Sequence, residues 1–485
     1  MIQIGLGLAA WSNGASRQLM DILHRSCLSM SYSSIATILS NLADKSIEEA
    51  RRVAAGPHGL GYDNVNISSS IFVEQGPNSM SKVQSGTFAV IYELLGARPE
   101  DMKIQPMVEN LNKAVPLKST DLVPSVAAMS SYSLQTKINI IDILFKYVEG
   151  FDDIKKHPKL QHQPRRIIPK GHKTKFYPLR ASTIEEASVE GNLRVHHDIY
   201  LVQLKKEEDT LDEYAVPCIN DQLTNARIRG GQILRKMDIS PWERREIFQL
   251  AFGAFHLTMN LIWGLLHTHR GSVTHIGSLT HLFVILEKTR LGGEHPDYHT
   301  LLSALTQILE GLILNAWHNE CGHETLEEFA TTHPTPNQLL QCAHKIADKY
   351  SIPKATWAMA PVVKVSSKKV HVADTADEGD PGPDDVEYEG NEETGLQGIF
   401  SESLTQTQPI KNLIDHVPNN IVLLTRDLLY VVEIVNAVAM GDFGRLEDIL
   451  PDLACIFRGA GSNNYSMEIL HLLFNFKHVW TPEFG

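Results

Sequence analysis

The spacing of apolar and polar residues predicts helices at the start of the chain. Residues 15–55 carry apolar side chains at every third or fourth position, which predicts three helices, two of them joined by a Ser-rich turn at residues 29–31. Residues 1–11 are largely apolar, and we expect them to form a buried helix or strand, or the edge of a longer protein.

The next stretch changes to a strand pattern. Residues 59–67, 70–74 and 87–94 are rich in β-branched and aromatic side chains, with Gly, Pro, Asn and Ser between them. Three successive short strands predict an antiparallel meander. Residues 118–149 then carry a strongly apolar face at helical spacing and predict a helix.

Helices and strands alternate in the middle of the chain, and helices dominate the remainder. Residues 246–255 fit either a strand or the start of a helix that continues to residue 269. The other predicted elements are helices at 183–206 and 223–235, a strand at 214–219, a helical block up to residue 350, and helices at 410–440, 445–457 and 464–476.

This order of elements predicts an α/β protein with a large α-helical part. It matches a ribonuclease-H-like mixed sheet with a helical N-terminal region and a helical insertion and C-terminal region, although a fold alone does not establish an enzyme. The predicted division is a helical region 1–57, a core 58–255, a helical insertion 256–360, an acidic disordered linker 361–409 and a helical region 410–485. The first region resembles a helix-turn-helix, but a plain helical hairpin is favoured because its second helix has little basic charge.

Charge is distributed unevenly along the chain. The 485 residues carry a formal net charge of −13, but residues 374–393 contain ten acidic residues and no Lys or Arg. That segment has too little apolar surface to offset its ordering entropy, which predicts a disordered linker. The rest of the chain has a net charge of −3. A nearly neutral body does not exclude nucleic acid as a partner.

Residues 154–175 form a basic segment with three prolines and no acidic residue. The prolines argue against a regular helix, so we expect an extended, exposed loop. It is either a solvated connector or a nucleic-acid contact. Its cations are Lys155, Lys156, Lys159, Arg165, Arg166, Lys170, Lys173 and Lys175.

Five scattered cysteines without a CxxC pattern are typical of a reducing compartment. No uninterrupted apolar run reaches the length of about 18 residues that a membrane-spanning helix needs. We therefore expect an intracellular protein, with the nucleus as one location, and neither secretion nor a membrane partner. The oligomeric state is not predicted.

Two aspartates are candidates for metal-dependent chemistry. Asp63 lies within an otherwise apolar strand, where a carboxylate is costly to bury unless it is paired or bound to a metal. Asp221 follows the strand at 214–219, where a helix N-cap is the simpler role. On adjacent strands the pair would suit Mg²⁺, which activates water in phosphodiester cleavage. A third acid is expected from a late helix, with Glu468, Glu433 and Asp442 as the candidates.

Histidines offer weaker candidates. His256 and Asn260 share one helical face, where they are either a hydrogen-bonded pair near the carboxylates or a buried core pair. A zinc site is disfavoured because its ligands lie within helical sequence; they would be His318, Cys321, His323, Cys342 and His344. The chain lacks GxGxxG, GxxxxGK[ST], GxSxG and HExxH, so no nucleotide cofactor is expected.

Several strings together resemble the domain-of-unknown-function family number six-five-eight-nine, which is expanded in mushroom-forming fungi. The resemblance runs from about residue 10 to the C-terminus, and DQLT at 221–224 is its most recognisable element. The other strings are GASRQLMDILHRSCLSMSYSSI, YDNVNI, QSGT, KFYPLRASTIEEASVEGN, NDQLTNARIRG, FHLTMNLIWGLLHTH, MGDFGRLEDILPDLACIFRGAGSNNYSMEIL and WTPE.

The family is in turn similar to transposase-derived proteins with a ribonuclease-H-like catalytic core. That similarity implies Asp63 as the first acid, Asp221 as the second, and His256 with Asn260 where such transposases often carry a Cys/His helix. Two departures stand out. Asn220 replaces a Gly that commonly precedes DQLT, which we expect to be a modest change. Members also typically continue past WTPE into a further helix with an acid, so either Glu468 or another residue is the third acid, or the chain is an inactive, truncated copy.

Three hypotheses follow. The first is a metal-dependent DNA-processing enzyme or its domesticated descendant, with catalytic residues Asp63, Asp221, Glu468, His256 and Asn260. The second is a non-enzymatic binding or scaffold protein that keeps the fold. The third is a helical adaptor without the sheet.

Overall fold

One mixed sheet of five strands organises the first half of the molecule. The computed structural model describes residues 2–68, 83–353 and 416–485. Among them, the spatial order of the strands is β3–β2–β1–β4–β5. The strands are His58–Ser68 (β1), Val83–Glu93 (β2), Phe176–Pro178 (β3), Val216–Asn220 (β4) and Phe248–Phe252 (β5).

The sheet combines an antiparallel half with a parallel half. β1 pairs with β2 in antiparallel register, and β2 pairs with β3 in the same manner. β4 runs parallel to both β1 and β5, with Leu60 opposite Cys218. Parallel strands need a crossover between them, and the helix Gln222–Leu234 provides it between β4 and β5. The carboxyl ends of β1, β4 and β5 therefore lie at one edge of the sheet.

Two of the three predicted strands, 59–67 and 87–94, correspond to β1 and β2. The third, 70–74, lies outside the described residues, and β2 also pairs with Phe176–Pro178, which was not predicted. A three-residue strand is too short to produce a recognisable alternation. The ambiguous segment 246–255 contains the strand β5, followed by a helix that starts at Ala254. The described residues therefore form a mixed α/β fold and not helices alone.

Helices account for most of the rest of the described chain. None of the helices in that part is long and apolar enough to span a membrane. The α-helices are Ile2–Ser12 (α1), Arg17–Arg25 (α2), Tyr32–Ala54 (α3), Ile104–Lys113 (α4), Val126–Tyr147 (α5), Val189–His197 (α6), Gln222–Leu234 (α7), Ala254–His269 (α8), Leu279–Ile285 (α9), Tyr298–Glu320 (α10), Leu326–Thr331 (α11), Pro336–Tyr350 (α12), His416–Met440 (α13), Phe443–Gly459 (α14) and Asn463–Phe474 (α15).

Helix α6 is shorter than the sequence predicts. The pattern places a helix over 183–206, but α6 begins at Val189, after Ser188 accepts a hydrogen bond from the Gly191 N–H as its N-cap. The preceding residues are extended because Ser182 exchanges two backbone hydrogen bonds with Thr87 of β2. Pairing with the sheet thus overrides the local helix pattern.

The two largest hydrophobic cores of the described chain lie side by side. One packs the sheet against α3 and α6, with Leu60, Ile91 and Cys218 fully buried. The other belongs to a helical body formed by α5, α8, α10, α12, α13 and α14. Trp317 lies at the centre of this body and donates its indole N–H to the Ile140 carbonyl at 3.0 Å. This core also includes Phe252, so the helical body packs against the end of β5.

The N-terminal region is helical as predicted, but α1 is not buried. Within α1 only Gly7 is buried, whereas Ile2 is 87% exposed. Helices α2 and α3 form the expected hairpin, and the second half of α3 packs on β2 and β3. Asp44 of that half forms an ion pair with Arg180. The predicted acidic linker 361–409 lies outside the described residues.

Candidate functional site

The two candidate aspartates belong to neighbouring strands of the sheet. Asp63 lies in the middle of β1, and Asp221 directly follows the end of β4. The parallel register pairs Leu60 with Cys218, and Asp63 and Asp221 each lie three residues beyond that pair. The Tyr62 N–H donates to Oδ1 of Asn220 at 3.2 Å and joins the middle of β1 to the end of β4.

Asp63 is exposed, contrary to the argument from its apolar strand. Its side chain is 60% accessible, whereas the preceding Tyr62 is only 4% accessible. Strand alternation explains the difference, because it turns Tyr62 into the core and Asp63 outward. Oδ1 of Asp63 accepts a hydrogen bond from the Asn64 N–H at 2.8 Å. Because Asp63 is exposed, its carboxylate pays little cost of desolvation. The cost of burial therefore gives no reason to expect a metal at this position.

Asp221 is the N-cap of α7, as the simpler interpretation predicts. Its Oδ1 accepts the Thr224 N–H at 2.7 Å. The cap occupies one oxygen of the carboxylate, and the charge acts on the surrounding groups. It contributes to raising the pKa values of Tyr62, Glu186 and Glu468, in each of which burial is the largest cause. The negative charge of Asp221 therefore disfavours ionisation of all three groups.

Asn220, which stands where a Gly commonly precedes DQLT, makes several hydrogen bonds that a glycine could not make. Its amide nitrogen donates to Sγ of Cys218 and to Oδ1 of Asn225. The buried Asn225 in turn donates to the Ala251 carbonyl at 3.1 Å and to Glu468 at 3.3 Å. The two amides connect β1, β4, β5, α7 and α15, which fixes the site edge of the sheet.

Glu186 is a buried acid that the sequence analysis did not single out within the predicted helix 183–206. It is 1% exposed, and within the described structure its Oε2 has no hydrogen-bond partner. Burial raises the pKa of Glu186 to about 8, with further contributions from the charges of Asp221 and Asp63, while a hydrogen bond with the Thr224 side chain opposes the shift. Glu186 therefore lies in the field of both candidate metal ligands.

Hydrogen bonds from three other side chains fix the backbone at residues 184–186, just before α6. Thr87 donates its hydroxyl to the Ile184 carbonyl at 2.7 Å. The Glu186 carbonyl accepts from Nδ2 of Asn192 at 2.7 Å and from Arg227 at 3.2 Å. These partners belong to the QSGT, ASVEGN and DQLTNAR strings.

Glu468 is the one late-helix candidate that joins the site. It lies on α15 and is 3% exposed. Its two carboxylate oxygens accept hydrogen bonds from the two terminal guanidinium nitrogens of Arg229. Burial raises the pKa of Glu468, and Arg229 opposes that shift. Glu433 instead pairs with Arg445 inside the helical body. Asp442 accepts the backbone N–H groups of two residues of the basic segment.

His256 and Asn260 lie on α8, whose first turn follows β5. Nε2 of His256 is 3.7 Å from Oδ2 of Asp63, so the histidine borders the aspartate pair. Asn260 donates its amide to the His256 carbonyl at 3.0 Å. Because α7 and α8 both begin at the carboxyl edge of the sheet, their N-terminal dipoles add positive potential there.

The middle of the basic segment is held on α14 by ion pairs. Arg165 makes a two-pronged ion pair with Asp448, at 2.7 and 3.0 Å. Arg166 pairs with Glu447 at 3.1 Å. Lys155, Lys159 and Lys175 contact Asp152, Asn337 and Glu93, respectively. Lys156, Lys170 and Lys173 are exposed.

No preformed metal cluster is present in the described parts of the chain. There, no three His, Cys, Asp or Glu side chains are arranged to hold one ion. The histidine and cysteine set of the disfavoured zinc site makes other contacts. Sγ of Cys321 lies 3.6 Å from the His318 carbonyl, and Sγ of Cys342 lies 3.6 Å from the Glu320 carbonyl.

Comparison with known proteins identifies a family. Neither curated proteins nor solved structures gave a match. The model of a family of unknown function, DUF6589, matches residues 112–485, more than three quarters of the chain. The matched range includes Glu186, Asp221, His256, Asn260 and Glu468, whereas Asp63 precedes it. The chain belongs to this family of unknown function.

Proposed function

We propose that the chain is a transposase-derived protein whose sheet forms a metal-dependent phosphodiester-processing core for DNA. The observation that carries the proposal is the parallel register of β1 and β4, in which Asp63 and Asp221 each lie three residues beyond the Leu60–Cys218 pair. Carboxyl ends of parallel strands are a common location for ligand sites.

The strand order gives the proposal further support. An antiparallel unit β1–β2–β3 continues into parallel strands β4 and β5, in the spatial order β3–β2–β1–β4–β5. This is the arrangement expected for a ribonuclease-H-like core. The helices between β5 and α15 correspond to an insertion before the late acid.

The residues at this edge fit Mg²⁺ better than a softer metal. The side chains near Asp221 offer carboxylate and amide oxygens, and the charge of Asp221 raises the pKa of Glu186, whose Oε2 has no hydrogen-bond partner among the described residues. Mg²⁺ in proteins is commonly held by one or two carboxylates together with waters and substrate phosphates. Two carboxylates are therefore sufficient without a preformed cluster of three. Bound Mg²⁺ would supply an activated water and stabilise charge on a phosphate.

The protein groups at the site have separate tasks. Asp63 and Asp221 hold the cation, and the amino ends of α7 and α8 attract phosphate through their oriented N–H groups. His256, beside Asp63, offers a ring N–H to a phosphate oxygen. Exposed Lys156, Lys170 and Lys173 on the basic segment provide a separate region of positive charge for the DNA backbone.

A non-enzymatic DNA-binding or scaffold role is the second candidate. The Arg229–Glu468 pair favours it, because a buried acid that is neutralised by a partly buried guanidinium does not contribute a ligand. In this case the exposed lysines of the basic segment act without the aspartate pair. Replacing Lys156, Lys170 and Lys173 by Ala would then lower the affinity for DNA and make that affinity less sensitive to salt concentration. The wild type and every variant would fail to nick DNA.

A nicking assay on supercoiled plasmid tests the first candidate. With Mg²⁺ or Mn²⁺ we expect nicking by the wild type and at least about a hundredfold less by D63N and by D221N. Asn caps a helix about as well as Asp, so D221N removes the charge but keeps the cap. The control is D348N, because Asp348 is an exposed residue of α12. Equal nicking by D63N, D221N and D348N would contradict the assignment.

A further inference from the structure

We propose that the site binds an unpaired DNA strand, whose bases stack on the exposed rings of Phe88 and Phe255 beside Asp63. This inference rests on the proposed DNA-processing function, and it deepens that function by naming the form of DNA that the site accepts. A duplex keeps its base faces stacked inside the double helix, so only an unpaired strand can offer them to protein rings.

The first ring lies opposite Asp63 on the neighbouring strand. In the antiparallel register of β1 and β2, Phe88 is the partner of Asp63. Residues directly opposite each other share one face of a sheet, with Cβ atoms about 5 Å apart. The side chain of Asp63 is 60% accessible and Phe88 is 37% exposed, although Thr87 and Ala89 on either side of Phe88 are buried. An aromatic ring and a carboxylate therefore face solvent side by side.

The second ring approaches Asp63 from helix α8. Phe255 is the second residue of this helix and is 53% exposed. Its ring meets the imidazole of His256 edge to face, with the ring centroids 5.4 Å apart. Nε2 of His256 is in turn 3.7 Å from Oδ2 of Asp63. One imidazole ring therefore separates Phe255 from the Asp63 carboxylate.

Packing against a second ring restricts the position of Phe255. Its centroid lies 5.1 Å from that of Tyr298, and the two rings are inclined at 68°. Tyr298 is the first residue of α10 and packs on the core of the helical body. These contacts orient Phe255, yet about half of its surface stays open to solvent. A ring that is already ordered loses little conformational freedom when a base stacks on it.

The surroundings of the two rings favour a nucleic-acid strand over an apolar partner. Both rings adjoin polar or charged side chains, Asp63 and His256, and the next residue of β1, Asn64, is also exposed. Helix α8 begins after Gly253, which has no side chain to cap the first N–H groups, and this end of the helix suits a phosphate. An unpaired strand offers flat bases to the rings and phosphates to the helix end.

Fluorescence anisotropy with a labelled single-stranded oligonucleotide tests the inference. A chelator in the buffer makes the measurement independent of metal binding. We expect F88A and F255A each to bind the oligonucleotide at least about fivefold more weakly than the wild type, because each removes one stacking surface. The matched control is F176A, because Phe176 is a 61% exposed phenylalanine on the edge strand β3. It should bind as the wild type does. Wild-type affinity in either F88A or F255A would overturn the inference.

Two further variants distinguish base stacking from the mere loss of an apolar side chain. F255L keeps an apolar side chain but has no aromatic face, so we expect it to bind the single strand as weakly as F255A does. F255Y keeps the ring and should bind as the wild type does. All of these variants should bind a blunt duplex of the same sequence with wild-type affinity, because its bases are already stacked. Wild-type affinity of F255L for the single strand, or an equal loss for the duplex, would overturn the inference.

The binding and nicking assays together separate failure of the inference from failure of the proposed function. If D63N and D221N lose nicking while F88A and F255A bind the single strand as the wild type does, only the stacking inference is wrong. If F88A and F255A lose that binding while D63N and D221N nick as D348N does, the rings bind DNA and the metal-dependent core is wrong. A wild type that does not bind the single strand would overturn the inference whatever the nicking assay shows.

Discussion

At the scale of single residues, Asp221 combines a structural and an electrostatic role. Its Oδ1 caps α7, and its charge reaches Tyr62, Glu186 and Glu468. A cap requires only an oxygen acceptor, which Asn supplies equally well. Negative charge is also favourable at a helix N-terminus. The proposed cation would in addition offset the repulsion between Asp221 and the buried acids near it.

The protonation of Glu186 predicts how stability varies with pH in metal-free protein. Its pKa is raised from 4.5 to about 8 on folding, first by burial and then by Asp221 and Asp63. The folded state therefore retains a proton that the unfolded state releases, so stability is lost as the pH rises through this interval. The loss is on the order of a few kcal/mol.

Urea unfolding with a chelator present measures this effect. The unfolding free energy of E186Q minus that of the wild type should increase from about pH 5 to about pH 8, because Gln does not titrate. A difference that stays constant over this range would show that Glu186 does not titrate in this manner.

The residue-scale predictions from sequence were correct where a motif and a strand end coincide. For Asp221 the sequence left an N-cap and a metal ligand as alternatives, and the structure shows the N-cap. The argument that Asp63 is buried was wrong, because strand alternation turns it to solvent. Glu186 was missed since its burial depends on contacts with Thr87, Asn192 and Thr224, which are distant in sequence or belong to other elements.

At the scale of elements, the extended segment before α6 acts as a continuation of the sheet edge. Thr87 and Ser182 exchange backbone hydrogen bonds at 2.9 and 2.8 Å. The sequence predicted β4, α7 and the helix pairs well, because each has a periodic pattern long enough to recognise. It did not predict β3 or the start of α6, because pairing with β2 decides both.

The close approach at Gly86 predicts a large cost for a single methyl group. G86A would bring Cβ within 2.2 Å of the Ser182 oxygen and should lower the unfolding free energy by roughly 2–4 kcal/mol. The control is G311A in α10, where nothing lies within 4 Å of the added atom. That change should stabilise the chain by about 0.5–1 kcal/mol. A wild-type midpoint for G86A in urea would contradict the packing of this segment.

At the scale of the whole molecule, two cores meet at the site. The helical body packs as one unit, and α15 extends from it to contact β5 and α7. Periodicity predicted the helices but not their partners. Arg165 and Asp448, which fasten the basic segment to α14, are 283 residues apart in sequence. The net charge of −13 was likewise uninformative about the site, because ten acidic residues lie in one segment outside the described structure.

Anomalous diffraction from crystals soaked with Mn²⁺ tests the central claim most directly, because it locates the cation independently of activity. We expect a manganese peak between the carboxylates of Asp63 and Asp221, at the carboxyl edge of β1 and β4. Crystals in which both carboxylates are ordered, but manganese binds elsewhere or not at all, would contradict the account.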